Sequence, residues 1–404
     1  MIGIDASRAN TRTRTGTEWY TYFLIKELAS ILPRNFKVRL YSREPLLDDL
    51  HPLPKNFTSN VLRWPPKLLW TQLRLSLEML IRGPELLFVP AHTIPFIHPH
   101  KLVTTLHDIG FESVESLYDN RSISSKSNPA RNLISLGVSA FTKGRYAATE
   151  LDYHRFSARL AVRRATKIIT VSQFSRNEII NTYHIDPNKI SVVHNSHDSR
   201  VFNTLRDRGK ELEIQSKIGC GKNYIISIGR LESKKNTPRI ISAFSSFRKK
   251  FPRSTLSLVL VGQPGFGYDR VLDSVRSAPV GSIFMPGWLE THTYVHLLRG
   301  AQAFVFPSLY EGFGIPLLEA MACGIPVITS KICSMPEVCE DAALYVDPKS
   351  EAALSKAIER IIMDSVLQER LRGKGILRSQ RFSWHVTAQK TADIILEVLG
   401  KRDP

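Results

Sequence analysis

The chain has 404 residues, enough for two domains that each bury a core, and its 43% hydrophobic and 23% charged residues are the balance of a globular protein. Fifty-five Lys and Arg against 37 Asp and Glu leave a formal charge of +18, which favours polyanionic partners: nucleic acid, an anionic membrane surface or phosphorylated substrates. No stretch reaches the roughly 18–20 apolar residues of a spanning helix, the start shows no basic-flanked leader, and the four cysteines form no CxxC pair, so reduced thiols in a cytosolic protein are expected.

Residues 2–5 (IGID) open the chain as an apolar strand. A polar loop over 6–17, with Arg8, Arg12, Arg14 and Gly16, leads to an amphipathic helix expected over 18–32. A first strand-to-helix loop rich in Gly and Arg suits phosphate near the helix start, so Gly16 is a candidate for phosphate or acceptor contact; a plain surface loop is the alternative. Strands are expected at 36–41, 86–89 and 101–106, with a helix over 68–81 opened by Trp64-Pro65-Pro66-Lys67. The 101–106 strand ends in His107-Asp108. A histidine at a strand's carboxyl end beside an aspartate is well placed to meet a ligand, though a satisfied structural histidine fits the same pattern.

Between 121 and 167 ten basic side chains face only Glu150 and Asp152, interleaved with Leu133, Ile134, Leu136, Val138 and Phe141. Helices are expected at about 130–148 and 150–165. Such a stretch suits an anionic membrane surface or a solvated basic face, and it lacks the regular aromatic platforms of a single-stranded nucleic-acid site. A strand at 167–171, a helix at 176–183 and a strand at 190–193 follow, the last ending in His194-Asn195-Ser196-His197-Asp198. The two histidines there lack the spacing of a metal pair.

Residues 201–222 are polar and charged, as in a linker. Strand 224–228 then runs into Gly229-Arg230-Leu231-Glu232-Ser233-Lys234-Lys235-Asn236 and a helix over 238–250. Arg230 supplies a two-pronged donor and Lys235 a point charge near a helix start, a reasonable clamp for a diphosphate; a charged surface turn is the alternative. The spacing of a P-loop is missing. Strands at 255–261 and 282–285 lead to Pro286-Gly287-Trp288-Leu289, and a helix at 293–299 precedes the run FVFPSLYEGFGIPLLEAMACGIPVITS over 304–330. That run reads as strand, loop, helix (315–323) and strand (325–329). Glu311 and Glu319 flank the turn, and Gly312 and Gly314 permit close backbone approach. Amides entering the helix at Ile315 and Leu317 point the same way, and Pro316 suits its first turn. By spacing alone, an ordinary βαβ turn with two solvated glutamates fits equally well.

The pattern PS-x-Y-E-G-F-G-x-P-x-x-E-A-M-A-C-G-x-P-V resembles the nucleotide-sugar site of the family 4 retaining glycosyltransferases, and GRLESKKN is similar to that family's second signature. The resemblance implies an α/β chain of GT-B architecture, with two Rossmann-like domains facing an interdomain cleft. The acceptor domain would span 1–200, with the final helix (386–404) packing back on it, and the nucleotide-sugar domain 201–385. It further implies that Glu319 binds the ribose hydroxyls, and that Glu311 with the backbone of Gly312, Phe313, Gly314 and Ile315 holds the sugar. Gly229, Arg230 and Lys235 would meet the diphosphate, with Lys234 as the fallback cation; Gly287, Trp288 and Leu289 would lie against the base, although Trp288 fits equally as core filler. His107 would sit by the sugar's reacting face. The catalytic set is then His107, Arg230, Lys235 and Glu311, with no metal and no cofactor beyond the donor. The chain departs from the family at Glu18, where a second glycine often stands, and at Ser196, which replaces the glycine of an Asn-Gly-x-Asp turn.

With DASRA, PAHT and HDIGF, the chain looks most like bacterial mannosyl- or rhamnosyl-type members, so GDP-mannose is the expected donor and a glycan or lipid-linked saccharide the expected acceptor. A cytoplasmic protein, peripheral at the inner membrane face, follows. UDP-, dTDP- or ADP-sugar donors, a nucleotide-sugar 2-epimerase and a non-catalytic nucleic-acid binder remain as alternatives.

Overall fold

The computed structural model describes residues 1–64, 69–118 and 149–400. They divide into two units: 1–115, 149–195 and 383–400 form one, and 196–382 with 116–118 form the other. The basic stretch up to 148, the helix expected at 130–148 and the helix opening at 65–68 lie outside the described residues.

The first unit is built on a parallel sheet of β1 (Ile2–Asp5), β2 (Val38–Ser42), β3 (Phe57–Val61), β4 (Leu86–Val89), β5 (Lys101–Thr105), β6 (Lys167–Thr170) and β7 (Ile190–Val192), in the order β3-β2-β1-β4-β5-β6-β7. Ile2 lies opposite Val38 on one side and Leu86 on the other. The central strands β1, β4 and β5 are almost wholly buried and mainly apolar because helices cover both sheet faces. The edge strand β3, FTSNV, alternates weakly and is partly exposed, so its sequence carried no strand signal. The helix Trp384–Leu399 buries Trp384, Ala388, Ala392, Ile395 and Leu399 in this unit's core, beside Tyr20, Leu24 and Leu28 of the helix Gly16–Ile31.

The second unit repeats the plan with β8 (Tyr224–Ile228), β9 (Ser257–Val261), β10 (Ile283–Gly287), β11 (Ala303–Phe306), β12 (Val327–Ser330) and β13 (Ala343–Val346), in the order β10-β9-β8-β11-β12-β13. Successive strands run outward from β8 to β10; β11 then returns to the other flank of β8. The crevice outside the carboxyl ends of β8 and β11 is the topological switch point, where doubly wound sheets take ligands.

Residues 201–222, expected as a linker, contain the helix Arg208–Ile218. Its polar sequence hides it because its buried face is itself polar. Arg206 forks onto the buried Glu211, and Gln215 reaches the Tyr224 hydroxyl at 3.4 Å. The first helix begins at Gly16 rather than 18, and the helix expected over 68–81 consists of a π-helical turn, Trp70–Leu75, followed by Ser76–Arg82.

Candidate functional site

In the second unit the loop after β8 and the loop after β11 are laced together across the switch point. The Leu309 amide donates to the Lys234 carbonyl at 2.9 Å. Asn236, left-handed at φ 61° at the start of the helix Thr237–Lys250, donates its side-chain amide to the carbonyls of Pro307 (3.1 Å) and Pro348 (2.7 Å). Asn236 is a residue the sequence reading passed over, although a conformationally tolerant Asn at a helix entry is a usable signal.

Lys235 and Glu311 meet in this lacing: Nζ lies 2.5 Å from Oε1, both side chains are mostly buried, and the ammonium sits 4.8 Å from the Phe306 ring centre. Arg230, by contrast, is exposed and pairs with no carboxylate among the described residues. The Lys235 stem runs over Gly229, the residue before Arg230, so the guanidinium is the open positive charge of this loop, while Lys235 serves an anion only once Glu311 takes up other donors.

The ends of β8, β9 and β10 carry Gly229, Gly262 and Gly287, at φ 144°, 151° and 79°. At Gly262 a side chain is impossible without backbone movement, since a Cβ there would stand 1.8 Å from the Gly229 carbonyl oxygen. This glycine rim keeps the floor of the crevice low. Gly262, at the end of the strand expected over 255–261, was not among the candidates expected from sequence; its closeness to Gly229 appears only when β8 and β9 pair.

The loop 307–314 is held from below by hydroxyls. Thr329 donates to the Phe306 carbonyl (2.8 Å), Ser330 to that of Ser308 (2.7 Å), and the buried Ser334 to those of Glu311 (2.9 Å) and Phe313 (3.0 Å). With these carbonyls engaged, the peptide units at Gly312, Phe313, Gly314 and Ile315 are fixed where the helix Ile315–Ala322 begins; Gly314 adopts φ 98°. The Phe313 side chain packs edge-on against Phe382, so a ligand meets its backbone rather than its ring.

Glu319 is half-buried one turn into that helix. The Tyr294 hydroxyl donates to its Oε2 at 3.0 Å, and no other donor reaches its carboxylate among the described residues. Burial holds this acid up at about 7, a rise that the tyrosine bond partly offsets. Trp288 is 48% exposed, which removes the core-filler alternative. Leu289 lines a surface groove of about 350 Å³ with Ile214, Ile218, His292 and His296.

In the first unit His107 lies edge-on to Tyr20, ring centres 4.7 Å apart, with Nε2 3.4 Å from the Pro90 carbonyl. Burial lowers its pKa, so the imidazole is neutral at pH 7. Asp108 accepts the Gly110 amide at 3.1 Å and shapes the turn. Close by in sequence, His92 Nε2 is 2.9 Å from His154 Nδ1; burial pushes His92 well below the ordinary histidine value. These two imidazoles, 62 residues apart in the chain, were not paired by the sequence reading.

Gly16 opens its helix with open space around it. The start of that helix is engaged internally: Thr15 and Glu18 form a capping box, and Glu18 lies 3.5 Å from Arg8. Arg14 is bound to Asp49 and stacks over Tyr22, while Arg12 is exposed. The Glu18 carboxylate therefore occupies the position a phosphate would seek. Among the described residues no cluster of three or more His, Cys, Asp or Glu side chains could hold a metal ion.

Comparison with known proteins places this geometry. Residues 14–201 match the model of Glycosyltransferase Family 4, and residues 210–378 match that of Glycosyl transferases group 1. An O-antigen chain mannosyltransferase B of Escherichia coli is 30% identical over 305 residues, 74% of this chain and 72% of that protein. The O-antigen chain mannosyltransferase RfbU of Salmonella typhimurium is 32% identical over 212 residues, 52% and 54% of the two chains. In fold, sucrose-phosphate synthase from Thermosynechococcus elongatus superposes with a TM-score of 0.70 at 17% identity over 99% of each chain. WaaG, a glycosyltransferase involved in lipopolysaccharide biosynthesis, superposes with 0.67 at 15% identity over 98% and 99%. With two Rossmann-like domains of the GT-B fold and both family models matched, the chain belongs to the group 1, family 4 glycosyltransferases and is a glycosyltransferase.

Proposed function

We propose that this enzyme moves a hexosyl group, with retention, from a nucleotide sugar to a hydroxyl of a glycan or lipid-linked saccharide in cell-surface polysaccharide synthesis, and that the donor is GDP-mannose. The observation that carries this reading is the Lys235–Glu311 pair, which joins the loops at the carboxyl ends of β8 and β11 close in sequence to the exposed Arg230. The names of the O-antigen relatives support the mannosyl and polysaccharide parts.

In the reaction, the bond between the anomeric carbon and the diphosphate oxygen breaks, and the acceptor hydroxyl oxygen bonds to that carbon on the same face. The leaving diphosphate takes the electron pair and then the acceptor's proton. Arg230 and Lys235 stabilise the growing negative charge, and preorganised donors of this kind are usually the largest single catalytic contribution. Glu311, released from Lys235 as the phosphate arrives, accepts from sugar hydroxyls, and the Gly312–Ile315 backbone fixes the ring. Glu319 accepts from the ribose, and Gly287 with Trp288 borders the base. His107, neutral, offers a hydrogen bond to the sugar without adding charge. Two cations already serve the diphosphate, so turnover is metal-independent.

The test is a thermal-shift series with GDP, UDP, dTDP and ADP, followed by product analysis using the best donor, with and without a chelator. Stabilisation by GDP and undiminished turnover in chelator are expected. No shift with any of the four nucleotides would overturn the donor site; loss of turnover in chelator would overturn metal independence.

A peripheral position on an anionic bilayer at the cytoplasmic face is also proposed. Where it is described, the basic stretch that suggested it is partly neutralised: Arg155 pairs with Glu112 and Glu115, Arg159 with Glu112, and Lys167 with Glu397, while Arg163 and Arg164 stand exposed. The surface that now supports it is apolar. Leu73, Leu77, Leu80 and Ile81 are 44–65% exposed at helical spacing, and Phe96 and Ile97 adjoin them through an Ile97 amide to Ser76 hydroxyl bond of 3.2 Å. Exposed Arg63 and Arg82 flank the ridge in sequence, and the chain's +18 charge matches an anionic surface. Among the described residues no helix is long and apolar enough to cross a membrane. The protein is expected to sediment with phosphatidylglycerol-containing vesicles several-fold more than with phosphatidylcholine alone, and Leu80→Glu with Ile81→Glu to abolish the difference. Unchanged sedimentation of that variant would discard this surface.

A further inference from the structure

Glu319 is an under-served carboxylate. An ionised carboxylate offers about four acceptor sites, yet among the described residues one hydroxyl, that of Tyr294, reaches it. Tyr294 comes from the helix Thr291–Gly300, which starts two residues beyond Gly287-Trp288-Leu289, so the same element that follows the base-side turn holds the ribose-side acid. The helix is itself pinned. Arg299 donates to the carbonyls of Val201 (2.6 Å) and Asn203 (3.0 Å), and Phe202 packs against the Tyr294 ring at 5.7 Å. The phenol is therefore fixed before any ligand arrives.

We propose that Tyr294 is the positioning residue for nucleoside recognition: by engaging Oε2 of Glu319 it locks the carboxylate plane and leaves Oε1 to accept from a vicinal diol. This rests on the reading of Glu319 as the ribose acceptor. A purely structural Tyr–Glu pair would bury both groups and satisfy the acid with further donors, as buried carboxylates ordinarily are. Here the acid is half-buried and, among the described residues, its other acceptor sites meet no donor. Tyr294 remains a donor throughout the accessible range, because burial and the facing carboxylate push its own ionisation well above the ordinary tyrosine value. The other ionisable groups around the pair are Cys323, one turn on along the Glu319 helix and held protonated by burial, and Arg299, whose guanidinium acts on Cys323. Neither gives Glu319 a hydrogen bond among the described residues. Tyr294 is thus the group that keeps the acid ionisable near neutral pH, and it couples base-side and ribose-side recognition through one helix.

The experiment measures dissociation constants of the full chain for the tightest binder among GDP, UDP and ADP, and for its 2′-deoxy analogue, from pH 6 to 9. Wild type, Tyr294→Phe and Glu319→Gln are compared. The wild type is expected to prefer the ribonucleotide and to bind more tightly as pH rises through about 7, as Glu319 ionises. Tyr294→Phe is expected to weaken ribonucleotide binding about tenfold, the scale of one lost hydrogen bond to a charged group. It should also shrink the preference over the deoxy form and move the pH midpoint to higher pH. Glu319→Gln should abolish both preference and pH dependence. If Tyr294→Phe leaves discrimination and midpoint unchanged while Glu319→Gln abolishes them, the positioning role is wrong and the ribose assignment stands. If Glu319→Gln also binds normally, or none of the three nucleotides binds the wild type, the ribose assignment fails and the inference with it. Tyr294→His, which keeps a donor on an aromatic ring, guards against a packing artefact: partial recovery of discrimination supports the hydrogen bond, and none, with a normal melting temperature, counts against it.

Discussion

Replacing Glu319 with glutamine is expected to make the protein more stable above pH 7 while costing it the nucleotide. In the unfolded chain this acid titrates near its ordinary 4.5; in the folded protein burial holds it at about 7. Between those values the native state binds more protons than the unfolded one, so its contribution to stability falls as pH rises through the window and is lowest above 7. The interval corresponds to about 3 kcal/mol for the wild type. Glutamine keeps an oxygen for the Tyr294 hydroxyl and has no proton to lose. The melting temperatures of wild type and variant should therefore lie close at pH 5 and separate by several degrees at pH 8, the variant higher. Nucleoside diphosphate affinity should fall roughly 100-fold, because hydrogen bonds to a charged acceptor are worth about 1.5–3 kcal/mol each. A variant that melts lower at pH 8, or that binds nucleotide normally, would show that the acid is a structural group and not a ligand.

Arg230→Ala and Lys235→Ala are expected to lower turnover alike and to differ in stability. Arg230 is exposed and pairs with no carboxylate among the described residues, so its loss leaves the melting temperature within about a degree while kcat/KM falls roughly 100- to 1000-fold, the cost of removing one preorganised charge-stabilising donor. Lys235 is mostly buried against Glu311, and its removal leaves that carboxylate without its cation. Truncating one partner of such a pair costs more than the pair itself contributes, so Lys235→Ala should also melt lower by several degrees. The double variant Lys235→Ala/Glu311→Ala should recover stability without recovering turnover. Equal melting temperatures for the two single variants would show that the pair is not formed in solution. Unchanged kcat/KM in Arg230→Ala would remove the guanidinium from the diphosphate.

Much of the fold was legible because the central strands of the two sheets are buried on both faces, so β4 and β11 read as wholly apolar runs and β1, β8 and β9 as mainly apolar ones. What escaped were elements whose partners are polar or whose strand lies at an edge. The strand Phe57–Val61 pairs on one side alone, and the helix Arg208–Ile218 buries an Arg206–Glu211 ion pair in place of an apolar stripe. Hydrophobic period is blind to both, since neither buries enough apolar surface to impose one.

By itself, the sequence determined which residues stand at the strand ends: Arg230 and Lys235 after one apolar run, Glu311 and Glu319 around another, His107 after a third. Their spacing and neighbours were enough to suggest a phosphate clamp and a family. The tertiary structure alone decided the states of those residues, because each depends on contacts between segments far apart in the chain. Lys235 and Glu311 are bound to each other across 76 positions, whereas Arg230 is exposed and meets no carboxylate among the described residues. Glu18 fills the helix start beside Gly16, Trp288 faces outward, and the basic stretch around 155–167 is met by acids from 112, 115 and 397. Most of all, Glu319 holds its proton to about 7 because folding takes much of its surroundings out of water and, among the described residues, returns one hydroxyl, 25 residues away in sequence. Charge, burial and hydrogen-bond count are properties of the surroundings, and a linear pattern cannot state them.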